Sequence, residues 1–95
     1  MVFVKKVYEY EVSQKVGTDV WLELKFDYFP KTKDGMVYLR VEKITEKWGA
    51  NELLDFKEIL DGGNFFKSAK VFLKVAKKLD SIKTYQELKE YLKSL

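Results

Sequence analysis

The sequence predicts an α+β fold, a three-stranded antiparallel meander followed by three helices packed on one face of the sheet. Three observations lead there. Val20 to Phe29 alternates strictly between apolar and polar residues, Asp34-Gly35 follows with hairpin chemistry, and from Asn51 the apolar spacing changes from two to about 3.6 residues. With 95 residues the chain makes one domain, positions 1–49 supplying the sheet and 50–95 a helical part with a basic stripe.

The first strand is expected over Val2 to Val12, where Val4, Tyr8, Tyr10 and Val12 share one side. Lys6 interrupts that side, and Gln14 to Asp19 supplies a turn around Gly17. In the second strand Val20, Leu22, Leu24, Phe26 and Tyr28 face the core, and Pro30 ends it because proline cannot donate to a ladder. The third strand is expected from Met36 to about Trp48, with Val37, Leu39 and Val41 inward and a bulge or the end of regular pairing near Glu42. Pairing Leu24 with Leu39 sets Glu23 opposite Arg40, an ion pair that would help fix the register. Three strands make a narrow sheet, so a homodimer or higher homo-oligomer that extends or stacks it is expected.

Asn51 is expected to cap a short helix, Glu52 to Leu60, with Leu53, Phe56 and Leu60 inward and Asp61-Gly62-Gly63 as its stop. Asn64 caps a second helix running to Leu79. Thr84 and Glu87 form a capping box for a third, Tyr85 to Leu95, with Tyr85, Leu88, Tyr91, Leu92 and Leu95 along one stripe.

Charge is distributed unevenly. Residues 1–63 carry 10 Lys/Arg against 12 Asp/Glu, whereas residues 64–95 carry 8 Lys against 3 acids. The excess is concentrated on the second helix, where Lys67, Lys70, Lys74, Lys77 and Lys78 fall within roughly a 100° arc. Phe65, Ala69, Phe72, Ala76 and Leu79 are expected on the other side, with Phe66 and Leu73 beside them. Ammonium groups one turn apart, about 5 Å, match phosphate spacing along a nucleic-acid strand. A solvated helix face ordinarily mixes signs to gain pairs at i,i+4, and this one does not.

A second set of candidates lies on the outer face of the sheet. Trp21, Phe29 and Tyr38 point away from the expected core, as do Phe3 and Val7, and rings beside Lys25 and Arg40 could stack on bases. Glu9, Glu11, Glu23, Asp27 and Glu42 share that face and repel phosphate, which favours a dimer or packing surface over a base platform. Trp48, at the crossing from sheet to helices, fits either role.

Catalytic chemistry finds little support. The chain has no histidine and no cysteine, which removes the commonest general base, thiolate metal sites and any Ser-His triad. Adjacent acids on one strand do not make a pair of carboxylates across a cleft. Gly62-Gly63 lacks a Walker Lys-Ser/Thr after it. No catalytic residue, metal or cofactor is therefore expected. No apolar run approaches the ~18 residues that cross a bilayer, and the start shows no signal-peptide pattern, so a cytoplasmic protein without membrane association is expected.

The strand-rich first half, the basic helical third and a Lys/Glu-rich composition like that of heat-loving organisms together resemble archaeal single-stranded-DNA-binding proteins of the ThermoDBP type. The resemblance is architectural and carries over no individual residue. It implies an oligomer that binds single strands through basic and aromatic side chains. The expected function is thus non-enzymatic binding of single-stranded DNA or RNA, through the five lysines with Trp21, Tyr38, Arg40 and Trp48. The competing expectation is a protein-interaction or assembly module, such as a viral or accessory protein, that uses the aromatic sheet face.

Overall fold

The computed structural model describes residues 8–45 and 51–95. Four strands, β1 (Tyr8–Val16), β2 (Val20–Phe29), β3 (Asp34–Lys43) and β4 (Glu52–Gly63), precede two helices, α1 (Phe65–Asp80) and α2 (Tyr85–Ser94). The strands form one antiparallel sheet in the order β1-β2-β3-β4. The expected three strands and three helices are therefore corrected to four and two.

The correction falls on one segment. The stretch expected as the helix Glu52 to Leu60 is strand β4, paired with β3. Its register shifts three times, between Gly35/Met36, Val37/Tyr38 and Val41/Glu42, which leaves Gly62, Ile59 and Leu54 as extra residues on β4. Each bulge inserts one residue and turns the following side chains to the other face. Residues that look inward therefore recur about every three positions, a spacing that imitates a helix. The faces differ accordingly: Leu54, Ile59 and Leu60 pack against the core, whereas Leu53 (54% exposed) and Phe56 (52% exposed) sit on the opposite side.

In β2 and its register with β3 the patterning and the structure agree, although β3 ends at Lys43. β2 alternates as expected, with Val20, Leu22, Leu24 and Phe26 buried. Leu24 pairs with Leu39 and Glu23 lies opposite Arg40. The expected ion pair across them is not made: Arg40 Nε instead meets Glu42 Oε1 at 2.7 Å, and Glu23 accepts from Trp21 Nε1 at 3.2 Å. β1 continues to Val16 and the turn narrows to residues 17–19, with Gly17 at φ 68°. What was expected of Val2, Phe3, Val4, Lys6 and Val7 lies outside the described residues.

The β2–β3 turn occupies residues 30–33, and its left-handed residue is Lys33 (φ 57°) rather than Gly35. Gly35 serves another purpose. It pairs with Gly63 across β3 and β4, and the buried Ser68 of α1 rests on both. Ser68 Oγ donates to the Gly63 carbonyl at 3.2 Å. A Cβ added at Gly35 would fall 2.7 Å from Ser68 Cβ.

Both helices start as the caps predict. Asn64 accepts from the Lys67 amide at 2.8 Å. Thr84 Oγ1 accepts from the Glu87 amide at 3.2 Å and donates to the Glu87 carboxylate at 3.0 Å. α1 lies across the sheet with Phe72, Val75 and Leu79 buried, and α2 adds Leu88 and Leu92 to the same core. Gln14 Nε2, from β1, donates to the Leu79 carbonyl at 2.9 Å and fixes the far end of α1. Both helices cover one face, and among the described residues the other face of the sheet carries no helix.

The Gly35–Ser68 contact sets how closely α1 approaches the sheet. Gly35→Ala is expected to destabilise the fold by about 1–3 kcal/mol, the range for overpacking a tight contact. Urea unfolding monitored by circular dichroism measures it, and a smaller loss is expected for Gly35→Ala combined with Ser68→Gly.

Candidate nucleic-acid interface

Because Ser68, Phe72, Val75 and Leu79 point into the core, the roll of α1 is set and its other face is exposed. Lys67, Lys70, Lys74, Lys77 and Lys78 all lie on that exposed face. From Lys67 to Lys78 the row extends about 16 Å along the helix axis. Among the described residues the two ion pairs are Arg40–Glu42 and Lys93–Glu90, so none of the five lysines has an acid partner.

Two apolar side chains expected beside the core stand among these lysines instead. Phe66 is 83% exposed and Leu73 64% exposed. Phe66, Lys70, Leu73 and Lys77 are spaced i, i+4, i+7 and i+11, which makes them one row. The Phe66 ring stands perpendicular to that of Phe65, with ring centres 5.9 Å apart. Its position on the helical wheel, close to Lys70 and Lys77, is the signal that locates it. Residue type alone pointed the wrong way.

The C-terminal half of the row borders a groove between α1 and α2. An open groove of about 420 Å³ is lined by Lys74, Lys77, Lys78, Ser81 and Tyr91. Lys78 Nζ stands 6.0 Å from the centre of the Tyr91 ring, at the limit of a cation–π contact. Burial raises the Tyr91 pKa, so the ring stays neutral and can face an anion without opposing it. Phe66 at one end and Tyr91 at the other thus bracket the lysines.

Trp21, Tyr38 and Arg40 lie on the opposite face of the sheet, so a single strand lying along α1 does not reach them. Trp48 lies outside the described residues. The outer face has its own structure. Tyr38 packs on Phe56 with ring centres 5.6 Å apart and donates to Asp27 Oδ2 at 3.2 Å. Pairing partners share a face, which places Glu9, Glu11, Glu23, Asp27, Asp34, Glu42, Glu58 and Asp61 here against Lys15, Lys25 and Arg40. This surface is acidic, whereas the helical layer is basic.

Burial pushes the Tyr38 hydroxyl up to about 12, helped by the Asp27 charge and hydrogen bond and by Glu9 and Glu23. Among the described residues no group of three or more acids is placed to hold a metal ion, and no helix is long and apolar enough to cross a membrane. Comparison with protein-family models, curated proteins and solved structures finds no match to this chain.

The raised Tyr38 pKa has a pH consequence. The unfolded chain loses this proton near the ordinary value of 10.0 while the folded protein keeps it to about 12. Stability from this group is therefore full below pH 10 and is lost as pH rises toward 12. Asp27→Asn is expected to lower the Tyr38 midpoint partway toward 10. Tyrosinate absorbance, taken as the difference from a Tyr38→Phe protein, measures it.

Proposed function

We propose that this protein is a non-enzymatic single-stranded nucleic-acid-binding protein that tracks the phosphate backbone along α1. The observation that carries this reading is the row Lys67, Lys70, Lys74, Lys77 and Lys78, exposed, without acid partners and accompanied by the exposed Phe66 ring. Lysines supply the sequence-independent electrostatic attraction, and rings supply stacking that tolerates any base. In this reading Phe66 and Tyr91 take the stacking role first expected of Trp21 and Tyr38, and Arg40 takes no part. The resemblance to ThermoDBP-type proteins implies the same activity and a homo-oligomer.

A labelled oligonucleotide followed by fluorescence anisotropy at several salt concentrations tests the proposal. Five phosphate contacts on a single strand predict a slope of log K on log salt of about −3.5. Replacing the five lysines with glutamine is expected to flatten that slope. Phe66→Ala is expected to weaken binding by about 1–3 kcal/mol, and Trp21→Ala to leave it unchanged. Absence of binding at low salt sinks the reading.

The outer sheet face supports a second reading, a docking surface for a basic protein partner. Phe56 and Leu53 share that acidic face with Trp21 and Tyr38 and add to its apolar surface. An oligolysine peptide is then expected to alter tryptophan fluorescence, and Trp21→Phe to abolish most of the change. A peptide that leaves fluorescence unaltered argues against this use of the face.

A further inference from the structure

The order β1-β2-β3-β4 leaves two edge strands, and they are unlike each other. β4 is irregular, with three inserted residues, and Lys89, Leu92 and Lys93 of α2 lie against its Asp55–Phe56–Lys57 stretch. Bulges and cover are how an edge avoids further pairing. β1 has neither. Its nine residues pair one for one with β2 without a register shift, and it contains no proline. Among the described residues nothing pairs with its other side. Tyr8 and Tyr10, 50% and 45% exposed, stand on its helix-side face. Beside Tyr10, an apolar groove of about 200 Å³ runs between β1 and α1, lined by Phe26, Phe65, Ala69, Phe72 and Leu73.

We propose that a second copy of this chain pairs antiparallel along β1, with the two-fold axis at Val12. In that register Val12 meets the partner's Val12, Tyr10 meets the partner's Gln14, and Tyr8 meets the partner's Val16. On the outer face Glu11 meets the partner's Ser13 and Glu9 meets the partner's Lys15. The charges select this register. Glu9 sits directly opposite Asp27 within its own chain, two like charges that disfavour the pair. The partner's Lys15 brings a cation to that position, and symmetry makes the contact twice.

The neighbouring registers are poorer. Shifting the axis to Glu11 sets two glutamates against each other and takes Glu9 away from Lys15. Shifting it to Ser13 leaves Tyr8 and Glu9 beyond the end of the partner strand at Val16. Directly opposed residues share a face, so the helices of both copies fall on the same side of an eight-stranded sheet. The tyrosines, already stacked on Phe26 (5.3 Å) and Tyr28 (6.5 Å), then gain cover on their open side.

The inference is independent of nucleic-acid binding and is tested without any ligand. Light scattering is expected to give twice the chain mass. Glu9→Lys sets lysine against lysine across the interface while relieving Glu9–Asp27 inside the chain. The dimer dissociation constant is therefore expected to rise about tenfold with no loss of thermal stability. The double variant Glu9→Lys/Lys15→Glu is expected to restore the dimer. Because the chain has no cysteine, a single introduced thiol can link only to another copy. Val12→Cys is expected to give an oxidised dimer, and Glu11→Cys and Ser13→Cys to link more slowly. A monomeric wild-type protein, a dimer indifferent to Glu9→Lys, or faster linking through Glu11→Cys or Ser13→Cys overturns the proposal.

Discussion

The close seating of Ser68 on Gly35 and Gly63 is the contact on which the rest of the arrangement depends. Two glycines paired across β3 and β4 leave a depression on the helix side of the sheet, and Ser68 fills it with its hydroxyl bonded to the Gly63 carbonyl. A serine buried to 0% exposure with its polar atom satisfied costs little and permits a closer approach than a larger side chain would. Gln14, donating to the Leu79 carbonyl, holds the opposite end of the same helix. Between these two anchors α1 cannot roll, so Phe72, Val75 and Leu79 enter the core and the lysines remain outside. The position of the basic row is thus a consequence of how small residues meet at the other side of the helix.

The parts of this fold that are legible in sequence are those where one physical rule acts alone. β2 is buried on one face and regularly paired, so its period of two survives, and the Leu24–Leu39 register follows from matching its core residues to those of β3. Asn64 and Thr84 mark helix starts because short polar side chains satisfy orphan amides there. β4 is different. Bulges at Leu54, Ile59 and Gly62 give a strand the spacing of a helix, and no count of apolar positions separates the two. The glycines mislead for a related reason. Gly62 takes φ 86° within a bulge rather than past a helix, and Gly35 is required by a neighbour thirty-three residues away in the chain. On α1 the shared exposed face of the five lysines follows from their spacing, whereas Phe66, expected beside the core residues, stands among the lysines because its angle sets it with Lys70 and Lys77.

Separating the two sheet faces by charge has consequences for any ligand. The outer face gathers eight acids and three cations, and the helical layer carries most of the lysine of residues 64–95. A two-layer slab with extents of 41 × 33 × 17 Å presents these faces in opposite directions. A polyanion is therefore steered to one side and a basic partner to the other. Pairing along β1 would keep this polarity, since it sets the helices of both copies on one side.

Whether the lysine row is more than a solvated surface turns on what it costs the helix. Lys77 and Lys78 lie in the last turn, where cations complement the helix dipole, and Lys78 also approaches Tyr91. Lys67, Lys70 and Lys74 have no such support. Their i,i+3 and i,i+4 neighbours include no acid, and the contacts 67–70, 70–74, 74–77 and 74–78 are all between like charges. At a few tenths of a kcal/mol each, these four contacts oppose the helix by roughly 1–2 kcal/mol. A surface needing only solubility avoids that penalty by placing one glutamate in the row, as α2 does with Glu90 beside Lys93. The arrangement on α1 gives up stability that a bound polyanion would return, because each phosphate placed between two lysines turns a repulsive contact into two attractive ones.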